Sequence, residues 1–222
     1  MKQFYKNQLM IDPIINNPGC QLSTFNIQYL TINQLLDLLP DNGQLYQSQL
    51  TKFTADHRKR EWLAVRVLLY KMIGETKEIC YKESGKPYLA DKSYHISISH
   101  TRGYVAVMIS KTNRVGIDIE VLSQRALKVA HKFVDETELI YPPTDKITHS
   151  EILTLIWSAK ETMYKCMDSR EILFREELHV DVNIPLLEQP YFYAYENHTP
   201  RRQSFKIHYL LEPGEYVLTY CL

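Results

Sequence analysis

Cysteine is scarce in this sequence, with four residues among 222. These cysteines lie far apart, at Cys20, Cys80, Cys166 and Cys221. They form no Cys-x-x-Cys pair, and no histidine stands near them at the spacing of metal ligands. The arrangement argues against a zinc site and gives no support for disulfides.

An excess of charge of one sign is also lacking, because 26 Lys and Arg balance 26 Asp and Glu. A net charge of zero argues against a strongly basic nucleic-acid-binding protein. The hydrophobic fraction of 45% excludes general disorder. The charge is nevertheless divided along the chain: residues 1–110 sum to +4 and residues 111–222 to −4. This division is consistent either with attraction between the halves or with an anion site in one and a cation site in the other.

Long apolar runs are absent as well. No stretch of about 18 apolar residues occurs, so no membrane span is expected. The first 17 residues mix Lys, Gln and Asn with apolar residues and show no signal-peptide core. We therefore expect a soluble, cytoplasmic protein. Its length suits one large domain or two of roughly 110 residues.

The pattern of apolar and polar residues predicts an α+β fold. In this pattern a helix, a short strand and a hairpin follow one another twice along the chain. The predicted elements are helices at about 55–73 and 150–167 with caps at Asp56 and Ser150, weaker helices at 31–39 and 124–133, hairpins at 95–110 and 204–221, and a strand at 191–195. Helical spacing of apolar residues and Gly-bearing turns between alternating strands support them. The repeat predicts two α+β halves, 1–111 and 112–222. A chance recurrence of helix and hairpin is the alternative.

The segment 115–120 (VGIDIE) carries two acids at the spacing of a strand face. A period of two places Asp118 and Glu120 on one face and Ile117 and Ile119 on the other. Adjacent carboxylates repel each other unless a cation compensates, and Mg²⁺ is a hard cation that takes carboxylate oxygens. Gly116 leaves room for another backbone or a ligand. The alternative is an exposed strand with two solvated acids.

The second long helix carries Trp157, Glu161 and Lys165 on one face, since their spacing is i, i+4, i+8. Lys160 lies beside them. The alternative is a Glu–Lys surface pair with Trp157 in the core. The combination of a D-x-E strand with an E-x-x-x-K helix about 40 residues later favours a functional role.

The first half offers groups that bind anions. His100 follows Ser99 at the end of a predicted strand, where it can hold a phosphate oxygen. Lys86 and the basic cluster around Arg58 and Arg60 add positive charge; Arg66 follows on the same helix. An ordinary turn histidine and a solvated basic face are the alternatives.

The ordered motifs resemble those of the 4′-phosphopantetheinyl transferases of the Sfp type. They are Gly85-Lys86-Pro87, Ile98-Ser99-His100, Val115-Gly116-Ile117-Asp118-Ile119-Glu120, a middle block at 133–138 with Glu138 as its acid, and Trp157-Ser158-Ala159-Lys160-Glu161-x-x-x-Lys165. The resemblance covers about residues 52–166. It implies transfer of phosphopantetheine from coenzyme A to a serine of an apo acyl or peptidyl carrier protein, with release of 3′,5′-ADP. It also implies two similar halves related by a pseudo-twofold axis, each a long helix on a small antiparallel sheet, with the active site in the cleft between them; a monomer is expected.

The resemblance also implies roles for the site residues. Asp118, Glu120 and Glu161 are expected to hold Mg²⁺, for which Mn²⁺ can substitute; Glu161, Lys165 and Asp118 are the expected catalytic residues. Coenzyme A is expected to contact Lys86, His100, Ser99, Lys165, Arg58 and Arg60, with Lys52 as a further candidate for its 3′-phosphate. The general base is expected to be Glu161, acting directly or through a metal-bound water, with Glu138 as another candidate.

Two alternatives to the transferase stay open. A Mg²⁺-dependent nuclease or phosphodiesterase also uses D-x-E carboxylates, but it normally places a lysine two residues after the acid, where this chain has Leu122. A catalytically inactive carrier-binding module is expected to lose at least one of the four charged site residues, and all four are present. One departure from the family pattern lies at 166–171 (CMDSRE), where many relatives carry a glycine-bearing turn after the lysine.

Overall fold

The computed structural model describes residues 11–138, 147–167, 171–181 and 189–222. The chain divides into two compact units, Met1–Asn113 (unit 1) and Arg114–Leu222 (unit 2). Each mixes helices with antiparallel strands. The functional assignment of one half to coenzyme A phosphates and the other to the metal stays a prediction.

Unit 1 consists of a long helix on an antiparallel sheet, with a separate small hairpin. Its elements are β1 (Ile11–Asn17), β2 (Cys20–Asn26), α1 (Ile32–Leu36), α2 (Gln44–Leu50), α3 (Asp56–Ile73), β3 (Ile79–Tyr81), β4 (Pro87–Leu89), β5 (His95–Thr101) and β6 (Tyr104–Ser110). The main sheet has the order β1-β2-β6-β5, and β3 pairs with β4. Leu63 and Val67 of α3 are fully buried in one core with Phe25 and Val107 of the sheet.

The long helix α3 ends where the sequence predicts. Gly74 follows it with φ +86°, in the left-handed conformation that glycine adopts without strain. The predicted cap at Asp56 is wrong, because the N-cap residue is Ala55 and makes no side-chain hydrogen bond. Asp56 is the first residue of the helix instead, where its charge interacts favourably with the helix dipole. The weaker predicted helices also form, but only over Ile32–Leu36 (α1) and Arg125–Val129.

Unit 2 is a second long helix on a five-stranded antiparallel sheet. Its elements are β7 (Gly116–Val121), α4 (Arg125–Val129), α5 (His149–Cys166), α6 (Phe174–Glu177), β8 (Leu178–Asp181), β9 (Tyr191–Glu196), β10 (Ser204–Glu212) and β11 (Tyr216–Cys221). The sheet order is β7-β11-β10-β9-β8. Helix α5 packs across β7 and β11. The predicted hairpin of β10 and β11 and the predicted strand β9 are both present.

The cap of α5 differs from the prediction. Thr148 is the N-cap residue: its hydroxyl accepts a hydrogen bond from Glu151 N, and the Glu151 carboxylate accepts one from Thr148 N. This reciprocal capping box satisfies two backbone N–H groups that the helix leaves unpaired. Ser150, the predicted cap, instead donates to the carbonyl of Ser123.

The two units share one connectivity. In each, the strand that precedes the long helix pairs with the last strand of the following hairpin, as β2-β6-β5 and β7-β11-β10. This shared order agrees with the repeat that the sequence pattern predicts, and the pseudo-twofold relation itself stays a prediction. Within the described residues, no helix is both long enough and apolar enough to span a bilayer.

Candidate active site

Strand β7 carries Asp118 and Glu120 on the face that meets helix α5. Its register pairs Asp118 with Thr219 and Glu120 with Val217 of β11, and Thr219 bonds to α5. Ile117 and Ile119 alternate with the acids and lie on the opposite face, as the period of two predicts. The alternative of two solvated acids is wrong, because Asp118 is only 4% exposed.

Gly116 allows α5 to approach β7 closely. A Cβ atom at this position would overlap the carbonyl oxygen of Thr162 and lie 2.8 Å from Sγ of Cys166. Thr162 also donates its hydroxyl to the carbonyl of Thr219, at 3.1 Å. The predicted backbone approach at Gly116 is therefore real, and the neighbour is the helix that carries the other site residues.

Lys165 lies across from β7 and joins the two elements. Its Nζ donates to Asp118 Oδ1 at 2.8 Å and to the carbonyl of Ile117 at 3.0 Å. The ion pair is largely shielded from water on the aspartate side, where the side chain is 5% exposed. Lys165 is therefore part of the acidic site rather than of a solvated surface pair.

Trp157 binds the second strand carboxylate. Its indole Nε1 donates to Glu120 Oε1 at 3.0 Å. The ring is half-buried between Phe133 and Phe174, with ring centroids at 5.1 and 5.6 Å. Trp157 thus packs in the core, as the structural alternative holds, and also holds an acid of the site.

Glu161 is an acid in an environment that favours its neutral form. Burial, and next the negative charge of Asp118, raise its pKa to about 7; Lys165 opposes this and Glu120 adds to it. The pKa of Glu120 is raised by burial and then by Asp118, against the hydrogen bond from Trp157. The three acids therefore interact electrostatically. A bound cation would relieve the repulsion between their negative charges.

The predicted ligand set is not preassembled for a metal ion. Within the described ranges, no group of three or more His, Cys, Asp or Glu side chains is arranged to hold a metal as it stands. Asp118 and Glu120 are bound by Lys165 and Trp157 instead. These two donors hold the carboxylates in hydrogen bonds, and the ammonium of Lys165 already compensates negative charge beside Asp118. The donor set itself consists of oxygen ligands, which is the chemistry that Mg²⁺ requires.

Lys160 and Glu138 form a buried ion pair that sequence analysis did not foresee. Lys160 is 0% exposed, and its Nζ donates to Glu138 Oε2 at 2.7 Å. Glu138 also accepts hydrogen bonds from the backbone N–H groups of Asp135 and Val180. Both carboxylate oxygens are thus engaged, which does not suit a general base. A lysine inside a run of buried helix positions was the only available signal.

Unit 1 contains a cavity of about 400 Å³. Its walls combine cationic, acidic and aromatic side chains, among them Arg58, Arg66, His100, Glu61 and Trp62. Glu61 pairs with Arg58 at 3.1 Å and lies 3.6 Å from Nδ1 of His100. Arg66 stacks 3.3 Å from the centre of the Trp62 ring, and burial lowers its pKa to about 10, so it is protonated at neutral pH.

The other predicted coenzyme A contacts are placed differently. Ser99 is buried, and its side chain lies on the opposite face of β5 from His100, because consecutive strand residues alternate. Lys86 lies in the turn between β3 and β4, and Arg60 on α3; neither lines the cavity. Of the departure from the family pattern at 166–171, residues 168–170 lie outside the described residues.

The part of the chain that carries the acids is similar to a known protein superfamily. Residues 114–221 match the 4′-phosphopantetheinyl transferase superfamily. Unit 2 therefore belongs to the 4′-phosphopantetheinyl transferase superfamily. The match contains Asp118, Glu120, Glu161 and Lys165, and it confirms the resemblance at the level of the superfamily; the Sfp type stays a prediction.

Several named members of this superfamily are similar in sequence. A 4′-phosphopantetheinyl transferase AcpT of Salmonella typhi is 34% identical over 84 residues, which cover 37% of this chain and 44% of that protein. AcpT of Escherichia coli K12 is 31% identical over 114 residues (49% and 57%), and the transferase gsp of Aneurinibacillus migulanus is 36% identical over 87 residues (38% and 35%). The matched part of the chain thus spans less than two thirds of each of these relatives.

Proposed function

We propose that this protein transfers the 4′-phosphopantetheine group of coenzyme A to a serine of an apo acyl or peptidyl carrier protein and releases 3′,5′-ADP. The observation that carries the proposal is the acidic site of unit 2. Asp118, Glu120, Glu161 and Lys165 come together from β7 and α5, within the residues that match the superfamily. The names of the similar proteins support the same activity.

Asp118, Glu120 and Glu161 are the proposed ligands of Mg²⁺, with Mn²⁺ as a substitute. Their electrostatic coupling supports this assignment, because three acids around one lysine leave an excess of negative charge. When bound, the ion supplies charge withdrawal from the pyrophosphate of coenzyme A. The cation must compete with Lys165 and Trp157 for two of the carboxylates.

Lys165 is proposed to bind the negatively charged pyrophosphate, and Glu161 is proposed to act as the general base. The ammonium of Lys165, which contacts Asp118, binds pyrophosphate oxygens of coenzyme A. Glu161 accepts the proton of the carrier serine as its Oγ attacks the β-phosphorus and the bond to the departing 3′,5′-ADP breaks. Without the ion the pKa of Glu161 is about 7, and a bound cation favours its ionised form, which is the form that accepts a proton. Glu138 is less suited, since hydrogen bonds already occupy both of its oxygens.

The cavity of unit 1 is the proposed site for coenzyme A phosphates. Arg58 and His100 both line this cavity, which supports the proposal. A bound phosphate must displace Glu61, to which Arg58 is paired. Lys86, Arg60 and Ser99 remain proposed contacts from the sequence, and a monomeric state belongs to the same proposal.

Intact mass spectrometry tests the proposal directly. The protein is incubated with coenzyme A, Mg²⁺ and a panel of apo acyl and peptidyl carrier proteins. We expect one carrier to gain the mass of one phosphopantetheine group, and no gain when its acceptor serine is replaced by alanine.

Matched variants connect the transfer to the acidic site. Glu161→Gln is expected to abolish the mass gain, whereas Glu212→Gln, an exposed glutamate at the end of β10, retains it. Absence of transfer across the whole panel contradicts the proposed activity. Binding of a carrier without transfer identifies an inactive carrier-binding module.

A further inference from the structure

The buried ammonium of Lys160 lies at the centre of a network that ends at Glu120. Its Nζ has three N–H groups and three acceptors: Glu138 Oε2 and the carbonyl oxygens of Phe133 and Phe174, the last at 3.0 Å. An ammonium donates at most three hydrogen bonds, so its capacity is filled. Lys160, on helix α5, therefore binds the block 133–138 and the backbone of Phe174 at one point.

The two carbonyls belong to the residues whose rings enclose Trp157. Phe133 meets the indole edge-on, with the planes at 65°, and Phe174 lies tilted at 36° on it. A single side chain thus anchors the backbone on both sides of the indole. Because aromatic pairs prefer defined geometries, fixed ring positions restrict the orientation of the ring between them.

The orientation of the indole decides whether its hydrogen bond to Glu120 forms. Its Nε1–H donates to Glu120 Oε1 at 3.0 Å, and an indole has no other polar hydrogen. A rotated or displaced ring loses this bond, and the charges of Asp118, Lys165 and Arg125 continue to act on the carboxylate. The path runs from Glu138 to Lys160, through the two phenylalanines, to Trp157 and Glu120.

We propose that Lys160, paired with Glu138, is a positioning residue that fixes the Trp157 indole and through it the Glu120 carboxylate. It does not touch the reacting groups. Its relevance to metal binding rests on the proposed function, whereas its effect on Trp157 does not. Partners of this kind, which orient a ligand without binding the metal, commonly change metal affinity by about 10- to 100-fold.

The test uses a double substitution that removes the ion pair without leaving a buried charge. Lys160→Met alone leaves Glu138 as an unpaired buried charge and risks unfolding, whereas Lys160→Met with Glu138→Leu replaces the pair by apolar side chains of similar volume, which buried sites often tolerate. Lys128→Met, an exposed lysine on α4, is the matched control. Every protein compared in this experiment also carries Trp62→Phe, so that Trp157 supplies the sole indole signal.

The first readout is the indole ¹H–¹⁵N signal of Trp157 in the metal-free protein. We expect the paired variant to shift this signal toward the position seen in Glu120→Leu, which removes the acceptor, and to raise its hydrogen-exchange rate. Lys128→Met leaves both unchanged. A folded paired variant with an unshifted indole signal overturns the proposal, because a merely structural ion pair leaves the indole in place.

The second readout is the affinity for Mn²⁺, without coenzyme A or carrier. We expect the paired variant to bind roughly tenfold more weakly, and no further weakening when Trp157→Phe is added, since both act through the same bond. Unchanged affinity beside a shifted indole overturns the link to Glu120. If the unsubstituted protein binds no Mn²⁺, the metal assignment of the proposed function fails, and the indole signal alone decides the role of Lys160.

Discussion

Replacing Glu161 by glutamine is expected to stabilise the fold while it abolishes transfer. In the folded chain, burial and the charge of Asp118 raise the pKa of Glu161 from its ordinary 4.5 to about 7. Folding therefore favours the protonated form of Glu161. The stability of the fold carries no penalty from this residue at acid pH, and it falls as the pH rises toward 7 and the folded chain has to hold the ionised form. The difference in pKa corresponds to about 3 kcal/mol at pH 8 and to about 1 kcal/mol at pH 5.

Urea unfolding in the presence of EDTA measures this difference. Glutamine has the same shape and stays neutral, so we expect the stability advantage of Glu161→Gln over the unsubstituted chain to grow by roughly 2 kcal/mol from pH 5 to pH 8. Glu212→Gln, at an exposed position, is expected to show no such growth. Saturating Mg²⁺ should remove the advantage, because a cation stabilises the ionised carboxylate. An advantage that is constant between the two pH values refutes the reasoning.

Three other perturbations probe the same site. Lys165→Met leaves Asp118 buried without its cation and is expected to lower the free energy of unfolding by about 2–3 kcal/mol, less than for a fully buried pair. The same variant is expected to lose transfer activity. A urea midpoint equal to that of Lys128→Met contradicts the expected loss of stability. Gly116→Ala forces a Cβ against the Thr162 carbonyl and is expected to lower the free energy of unfolding by about 3 kcal/mol through overpacking. In the control Gly214→Ala no atom lies within 4 Å of the added Cβ, so this variant carries only the strain of its positive φ. Equal losses of stability in the two variants refute the close approach of α5. EDTA should stop transfer and Mg²⁺ or Mn²⁺ restore it, and transfer that persists in EDTA argues against the assigned ligands.

Local patterns predicted the elements better than their ends. Helix α3 ends at Ile73, as predicted, because Gly74 after it readily adopts the left-handed conformation that ends a helix. The caps at Asp56 and Ser150 are wrong, because Ala55 and Thr148 hold those positions. Threonine and serine are both good caps, and the reciprocal bond to Glu151 decides between them.

Contacts distant in sequence explain what was missed. Sequence alone left open whether Asp118 is solvated, since its burial depends on β11 and on Lys165, 47 residues away. The role of Lys160 was missed for a similar reason: lysine is rarely buried, and its acceptors lie on two segments distant in sequence, the block 133–138 and Phe174.

The sequence by itself determined which chemical groups share a face. The period of a strand aligns Asp118 with Glu120, and the period of a helix aligns Trp157, Glu161 and Lys165, whatever the rest of the fold does. Only the tertiary structure decided the partners of these groups and the pKa of Glu161. Burial and Coulomb interaction depend on distances through space, and those distances are set where α5 packs on β7 at Gly116.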